Sequence, residues 1–203
     1  MKVVLLLLIG YIIGSIPWGL IIGKVFYGKD IRNYGSGNLG GTNAARVLGK
    51  PAGVAVILLD ALKAFIVMVI VHFISPGFEQ YAGLATCIGH CFPLFAGFKG
   101  GKAVACSYGY MLGLALFVNN ELVFTFIIPV AVFFALFLTT NYVSLGSICG
   151  VSACAILVSI FVDLKVGLMT ACLALFVIYR HKANIQRLLD GTESKMYLTK
   201  KDK

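Results

Sequence analysis

Long apolar stretches separated by short polar ones make up most of this chain, with uninterrupted hydrophobic spans at about 3–23, 52–74, 81–98, 103–118, 122–140, 143–162 and 166–179. A helix needs about 20 apolar residues to cross a hydrocarbon core of roughly 30 Å. The fourth and seventh spans are short by that measure, and seven crossings is the expected count. The runs lack the apolar/polar alternation of outer-membrane barrel strands, so the backbone must pair within helices. The pattern predicts an all-α fold, a polytopic integral membrane helical bundle. The first span starts like a secretory leader, with Lys2 ahead of a run of leucines. It continues through Gly14, Ser15 and Pro17 to Gly23 with no A-x-A cleavage site, and is read as a helix. With no internal repeat or low-complexity linker, 1–203 reads as a single membrane-embedded domain with a short basic tail from about 180.

Composition sharpens this picture. The chain is 60% hydrophobic and only 12% charged, and its mean hydropathy of +0.95 excludes a soluble domain. Residues 24–51 carry Lys24, Lys29, Arg32, Arg46 and Lys50 against Asp30 alone. Lys99 and Lys102 sit in the turn at 99–102, and seven Lys or Arg follow from Arg180 onward. Seven crossings put these segments on one side with the Asn141 turn, and Glu79, Glu121, Asp163, Lys165 and Lys2 on the other. Basic loops stay inside, so the N-terminus is expected outside and the C-terminus in the cytoplasm. Attraction to anionic headgroups accounts for the lysines after Lys195. It does not account for the glycines and asparagines on the same side, which suggest an anionic substrate.

Three polar stretches carry that chemistry. In GSGNLGGTNAAR, residues 35–46, glycines allow close backbone approach and successive N–H groups can line one concavity. Ser36, Thr42, Asn38, Asn43 and Arg46 add hydroxyl, amide and guanidinium donors, which is the chemistry of a phosphate cradle. The stretch is neither a Walker A loop nor a dinucleotide fingerprint; a plain interhelical turn is the alternative. In GHCFPLFAGFKGGKAVA, residues 89–105, two lysines flank Gly100 and Gly101, again suited to phosphate. His90, inside an apolar span, reads as a hydrogen-bonded structural residue. Cys87, His90 and Cys91 lack a second ligand pair, so no metal site is expected. In RHKANIQRLLDGTE, residues 180–193, His181, Asn184 and Arg187 share one helical flank, as a phosphate site or as an ordinary basic surface helix. Asp60 and Lys63, three apart within an apolar span, read as a structural ion pair that holds the site. The six cysteines read as small buried hydrophobes with no disulfide framework.

In this order and spacing, GSGNLGGTNAAR, GHCFPLFAGFKGGKAVA and NIQRLLDGTE resemble the bacterial acyl-phosphate:glycerol-3-phosphate acyltransferases, the PlsY type of integral membrane enzyme. The likeness runs from SIPWG at 15–19 through LLDALK at 58–63 and YVSLGSI at 142–148 to Glu193. It implies a seven-helix protein of the bacterial cytoplasmic membrane with its motifs facing the cytoplasm. The implied reaction moves a fatty acyl group from acyl phosphate to the 1-hydroxyl of glycerol 3-phosphate, giving 1-acylglycerol 3-phosphate and phosphate. Carried over by position, Ser36, Lys102, His181 and Asn184 are implied as catalytic. Gly37, Asn38, Thr42, Asn43, Arg46, Gly100, Gly101, Ser144, Arg187 and Glu193 are implied as substrate contacts. Departures from the family pattern are Leu39 for proline, Gly41 for alanine, Ala103 for glycine and Asn141 for arginine. Membrane lipids are the expected surroundings; no cofactor, metal, nucleic acid or obligatory protein partner is implied.

What the sequence lacks bears on mechanism. Acyl phosphate is already activated, and there is no G-x-S-x-G elbow to form an acyl-enzyme. There is also no HxxxxD motif, since Gly77, Phe95 and Gln186 lie five after the three histidines. Positioning and electrostatics are the expected means. A transporter of anionic phosphates would be expected to show inverted repeats, which are not seen, and a lipid-binding structural subunit would not need so many phosphate donors.

Overall fold

The structure is a computed structural model that describes residues 2–197; Lys200, Lys201 and Lys203 of the predicted tail lie outside them. Every regular element among the described residues is helical, and the chain clusters into two compact units, the first ending at Asn120 and the second beginning at Glu121.

The first unit holds α1 (Lys2–Gly14), α2 (Trp18–Tyr27), α3 (Gly41–Leu48), α4 (Lys50–Ile74), α5 (Glu79–Cys91) and α6 (Val104–Phe117). The predicted first span is therefore broken in two. Pro17 has no N–H to continue the ladder, Leu20 and Ile21 restart it on the Pro17 carbonyl, and the Ile16 carbonyl is left to the Lys63 ammonium at 3.1 Å. Nor is the region after Ser36 all loop, because Gly41–Leu48 forms a helix capped by Gly40. α4 shows why the chain belongs in lipid. Val54, Leu58, Leu62, Ile66, Ile70 and Phe73 form an exposed apolar stripe, while the opposite face buries Val56, Asp60, Lys63, Ala64, Val67 and Val71. The stripe suits acyl chains, and the buried face takes the polar groups inward.

Small residues set the helix spacing. A Cβ at Gly14 would overlap the Thr86 backbone and one at Gly89 the Tyr11 carbonyl, so α1 and α5 meet nearly backbone to backbone. Gly109 meets Ala61 in the same way, joining α6 to α4. Close approach through small residues is the usual way apolar helices associate in lipid, where burial alone gives no drive.

The second unit holds α7 (Ile128–Thr140), α8 (Val143–Phe161), α9 (Leu164–Arg180) and α10 (Lys182–Leu189). A π-helical turn, Val123–Ile127, leads into α7. Its cause is Pro129, which cannot bond the carbonyl four residues back. That carbonyl, on Thr125, instead accepts from the Cys154 thiol of α8 at 3.3 Å. Asp163 caps α9 through the Val166 N–H at 2.8 Å.

By length and apolarity, Lys2–Tyr27, Lys50–Ile74, Val123–Thr140 and Val143–Phe161 can each cross a membrane, and the pair α9 and α10, bent by 61°, makes a fifth if taken as one span. The chain is thus a multi-pass membrane protein. α5 and α6 have 13 and 14 residues, which at 1.5 Å per residue gives only about 20 Å. The predicted span 81–98 stops at Cys91 because Pro93 and Gly97 turn the chain out of the helix. The sequence count of seven therefore exceeds what helix length alone supports.

Gly89→Val is expected to force α1 and α5 apart, an overpacking cost of about 1–3 kcal/mol. Thermal unfolding in detergent checks this: the midpoint falls well below that of the parent protein.

Candidate active site

The first polar stretch is organised around one side chain. Asn43, on α3 and 2% exposed, accepts the Ser36 N–H on Oδ1 at 2.9 Å. Its Nδ2 donates to the carbonyls of Ile31, Tyr34 and Asn38 at 3.0, 3.2 and 2.9 Å. Its polar capacity is used on the loop itself. Gly35 and Gly37, at φ of +60° and +68°, allow the turns that bring these carbonyls round; a Cβ at Gly35 would strike the Asn43 amide. The Gly37 N–H bonds to Tyr34 O at 3.0 Å and the Gly40 N–H to the Asn38 side chain at 2.8 Å. The expected backbone cradle thus has its Ser36, Gly37 and Gly40 amides engaged internally. The loop instead presents side chains: Ser36 and Arg46 are exposed and Thr42 half-buried. Beneath them Ile31, Leu39 and Ala44 anchor the loop in a core shared with Leu20, Ala52 and Val56. At the entrance to the loop, a hydrogen bond from Arg32 holds the Asp30 carboxyl well below the usual carboxylate range, against the smaller effect of burial and with Lys24 assisting.

The second stretch folds back on the end of α5. After Cys91 the chain turns through Pro93 and the 3₁₀ turn Leu94–Ala96, then returns so that the Gly100 and Gly101 N–H groups bond Cys91 O and His90 O, each at 3.1 Å. Both glycines are required by space, since a Cβ at Gly101 would overlap the His90 imidazole and one at Gly100 the His90 carbonyl. Lys102 follows, half-buried, while Lys99 is exposed. Ala103 then begins α6 at φ +61°, a left-handed conformation that accounts physically for a glycine being common there in the resembled family.

Below this segment lie Asp60, Lys63 and His90. Lys63 Nζ is 2.8 Å from Asp60 Oδ1 and 3.0 Å from His90 Nδ1. Periodicity pairs Asp60 with Lys63, but nothing in it links either to His90, 27 residues further on.

In the second unit, α9 bends into α10 at His181. The His181 Nδ1 lies 2.8 Å from Val177 O, and a carbonyl only accepts, so Nδ1 carries the proton and the neutral ring has its lone pair on Nε2. Gly191, at φ +68°, reverses the chain after α10, and the Thr192 and Glu193 N–H groups close on Arg187 O at 2.8 and 3.0 Å. Glu193 thereby returns to α10 as a hub. Its Oε1 accepts from Ser144 Oγ at 2.8 Å and Asn184 Nδ2 at 2.6 Å, and its Oε2 from Arg187 Nε at 2.7 Å. Burial pushes the Glu193 carboxyl up, but hydrogen bonds from Asn184, Arg187 and Ser144 outweigh it and hold the group below its ordinary value of 4.5. The first unit thus gathers Ser36, Gly37, Asn38, Thr42, Asn43 and Arg46 on one loop and helix start, and Gly100, Gly101 and Lys102 on another. The second gathers Ser144, Asn184 and Arg187 around Glu193, with His181 at the start of α10.

Comparison with known proteins gives concordant matches. The family described as glycerol-3-phosphate acyltransferase matches residues 4–191. A glycerol-3-phosphate acyltransferase of Listeria monocytogenes serotype 4a (strain HCC23) is 46% identical over 200 residues, covering 96% of this chain and 97% of that protein. Two solved structures are similar throughout: PlsY (YgiH), an integral membrane glycerol 3-phosphate acyltransferase, in its glycerol 3-phosphate form and in its lysophosphatidic acid form. The first has a TM-score of 0.87 at 36% identity, covering 97% of this chain and 96% of that one. The second has a TM-score of 0.84 at 35% identity with the same coverage.

Asn43→Asp is expected to lower activity as severely as Asn43→Ala, because a carboxylate keeps the acceptor for Ser36 yet faces three carbonyls with no donor; steady-state assay of both variants checks this. Glu193→Gln should cost about 1–3 kcal/mol of stability. Since the carboxyl is depressed in the folded protein, that contribution is present above its ordinary value of 4.5 and is lost as pH falls through the lower folded value. The gap in unfolding midpoint between parent and variant should therefore hold from neutral to mildly acidic pH and close below that value.

Proposed function

The chain belongs to the glycerol-3-phosphate acyltransferase family, and from that premise we propose that it moves a fatty acyl group from acyl phosphate to the 1-hydroxyl of glycerol 3-phosphate. The products are 1-acylglycerol 3-phosphate and inorganic phosphate, in the first acylation of phospholipid synthesis. The protein works in the bacterial cytoplasmic membrane as a seven-helix bundle of one domain, with its N-terminus outside and its polar loops in the cytoplasm. The observation that carries the reading is the presence, in one apolar chain, of three donor-rich stretches whose order and spacing resemble those of the acyl-phosphate-dependent enzymes. The absence of an HxxxxD motif argues against a thioester-dependent relative.

Each unit carries its own phosphate donors. In the first these are the side chains of Ser36, Thr42, Arg46 and Lys102; Gly37, Gly100 and Gly101, whose N–H groups are bonded within the chain, allow close approach of the phosphate, and Asn38 and Asn43 hold the loop. In the second they are Ser144, Asn184 and Arg187, held by Glu193. The hydroxyl oxygen of glycerol 3-phosphate attacks the acyl carbonyl carbon, a new ester C–O bond forms, and the C–O bond to phosphate breaks. Fixed cationic and hydrogen-bond donors stabilise the oxyanion and the leaving phosphate. The attacking hydroxyl's proton ends on the leaving phosphate, either directly or by way of His181 Nε2. An unchanged kcat in His181→Ala selects the direct route.

The test is release of inorganic phosphate by purified protein given palmitoyl phosphate with and without glycerol 3-phosphate. Release is expected to depend on the acceptor and to yield lysophosphatidic acid, with Ser36→Ala and Lys102→Ala each lowering kcat/KM by about 100-fold or more. Folded protein that releases no phosphate refutes the reading.

A further inference from the structure

We infer that the buried triad Asp60, Lys63 and His90 is the floor on which the segment Gly100–Gly101–Lys102 is shaped, making these three side chains positioning residues for a substrate phosphate. The inference rests on the proposed role of that segment as a phosphate contact.

An ammonium group has three N–H donors and no acceptor. Lys63 Nζ has three acceptors around it: Asp60 Oδ1 at 2.8 Å, His90 Nδ1 at 3.0 Å and Ile16 O at 3.1 Å. His90 Nδ1 must therefore present its lone pair to Lys63, which places the ring proton on Nε2 and fixes the ring's rotation. Asp60 Oδ1, 3.3 Å from the same Nδ1, is joined to it through the ammonium.

The far edge of the fixed ring bears on the glycine segment. Gly101 passes so close to His90 Nε2 that a methyl group there would overlap the imidazole, and its N–H is bonded to the His90 carbonyl at 3.1 Å. His90 thus holds the segment twice, by ring and by backbone. A small cavity lined by Trp18, Leu39, Asp60, His90, Pro93 and Gly101 places Asp60 and His90 of the triad, the second motif and Leu39 of the first loop around one space.

Stability explains the Lys63 bond to the Ile16 carbonyl but gives little reason for the Asp60 and His90 part of the triad. A buried ion pair can often be replaced by apolar residues at no cost in folding, and α4 already has apolar neighbours to pack against. A precise template for a segment that must aim Lys102 at an oxyanion does give a reason, since small misplacements of binding groups are costly.

The test separates folding from positioning. Asp60→Leu combined with Lys63→Met is expected to lower the unfolding midpoint in detergent, since the Ile16 carbonyl loses its donor, yet to leave the protein folded at the assay temperature. The same variant should raise the KM for glycerol 3-phosphate or for acyl phosphate about tenfold, with kcat changed less. The substrate whose KM moves identifies the phosphate that the segment holds. Gly101→Ala should raise the same KM, and adding His90→Ala, which removes the obstructing ring, should leave the double variant no worse than either single one. A folded double apolar variant with unchanged KM for both substrates, or His90 and Gly101 effects that multiply, overturns the inference. Inorganic phosphate binding by calorimetry keeps it independent of acyl transfer. Parent protein that binds phosphate without transferring an acyl group refutes the proposed function alone, whereas unchanged phosphate affinity in the folded apolar variant refutes the positioning role.

Discussion

Lys63 carries a charge into the buried face of an apolar helix, and three separate pieces of chain converge to satisfy it. Its own helix supplies Asp60, α5 supplies His90, and the break between α1 and α2 supplies the Ile16 carbonyl. In lipid, every polar group must find a partner inside the protein. That requirement makes one lysine a point of assembly for the first unit. The break at Pro17 becomes tolerable because Lys63 takes the carbonyl it exposes. The second unit meets the same requirement with neutral groups, where the carbonyl orphaned by Pro129 takes a thiol proton from Cys154.

Where the pattern of the sequence is repetitive, it translates directly into structure. The spans 52–74 and 143–162 correspond to α4 and α8 within a residue or two at each end, because one uniform stretch of apolar residues can do little else in a bilayer. Breaks were less legible. Pro17 and Pro93 are visible in the sequence, yet how far each shortens its span depends on who accepts the released hydrogen bonds, and those partners lie far along the chain. The helix Gly41–Leu48 hides within a stretch whose glycines suggest loop, since its small residues pack against Gly53 and Ile57 of α4. Among the candidate residues, types and order were readable and pairings were not. Ser144 and Glu193 are 49 positions apart, and no local period connects them.

The candidate residues sit where the apolar pattern stops. Ser36, Lys102 and Asn184 all lie just outside long hydrophobic helices, on turns or short helices. Ser36 is exposed, Lys102 half-buried and Asn184 buried, and the long helices beside them face acyl chains. A reaction that joins a fatty acyl group to a small water-soluble phosphate ester needs both environments within a few ångströms. A chain of mostly apolar spans with donor-rich ends brings the two together.

Asn43 has one more consequence. By tying Ser36, Tyr34, Ile31 and Asn38 to itself, it settles the shape of the first loop during folding. The conformational entropy of ordering six or so glycine-rich residues, about 1–2 kcal/mol each, is then met by the same event that assembles the helices and is not charged against ligand capture. A small, highly hydrated anion offers little surface from which to recover such a sum. In the proposed role, preorganisation by a single amide is what lets a loop so rich in glycine serve a ligand so poor in contacts.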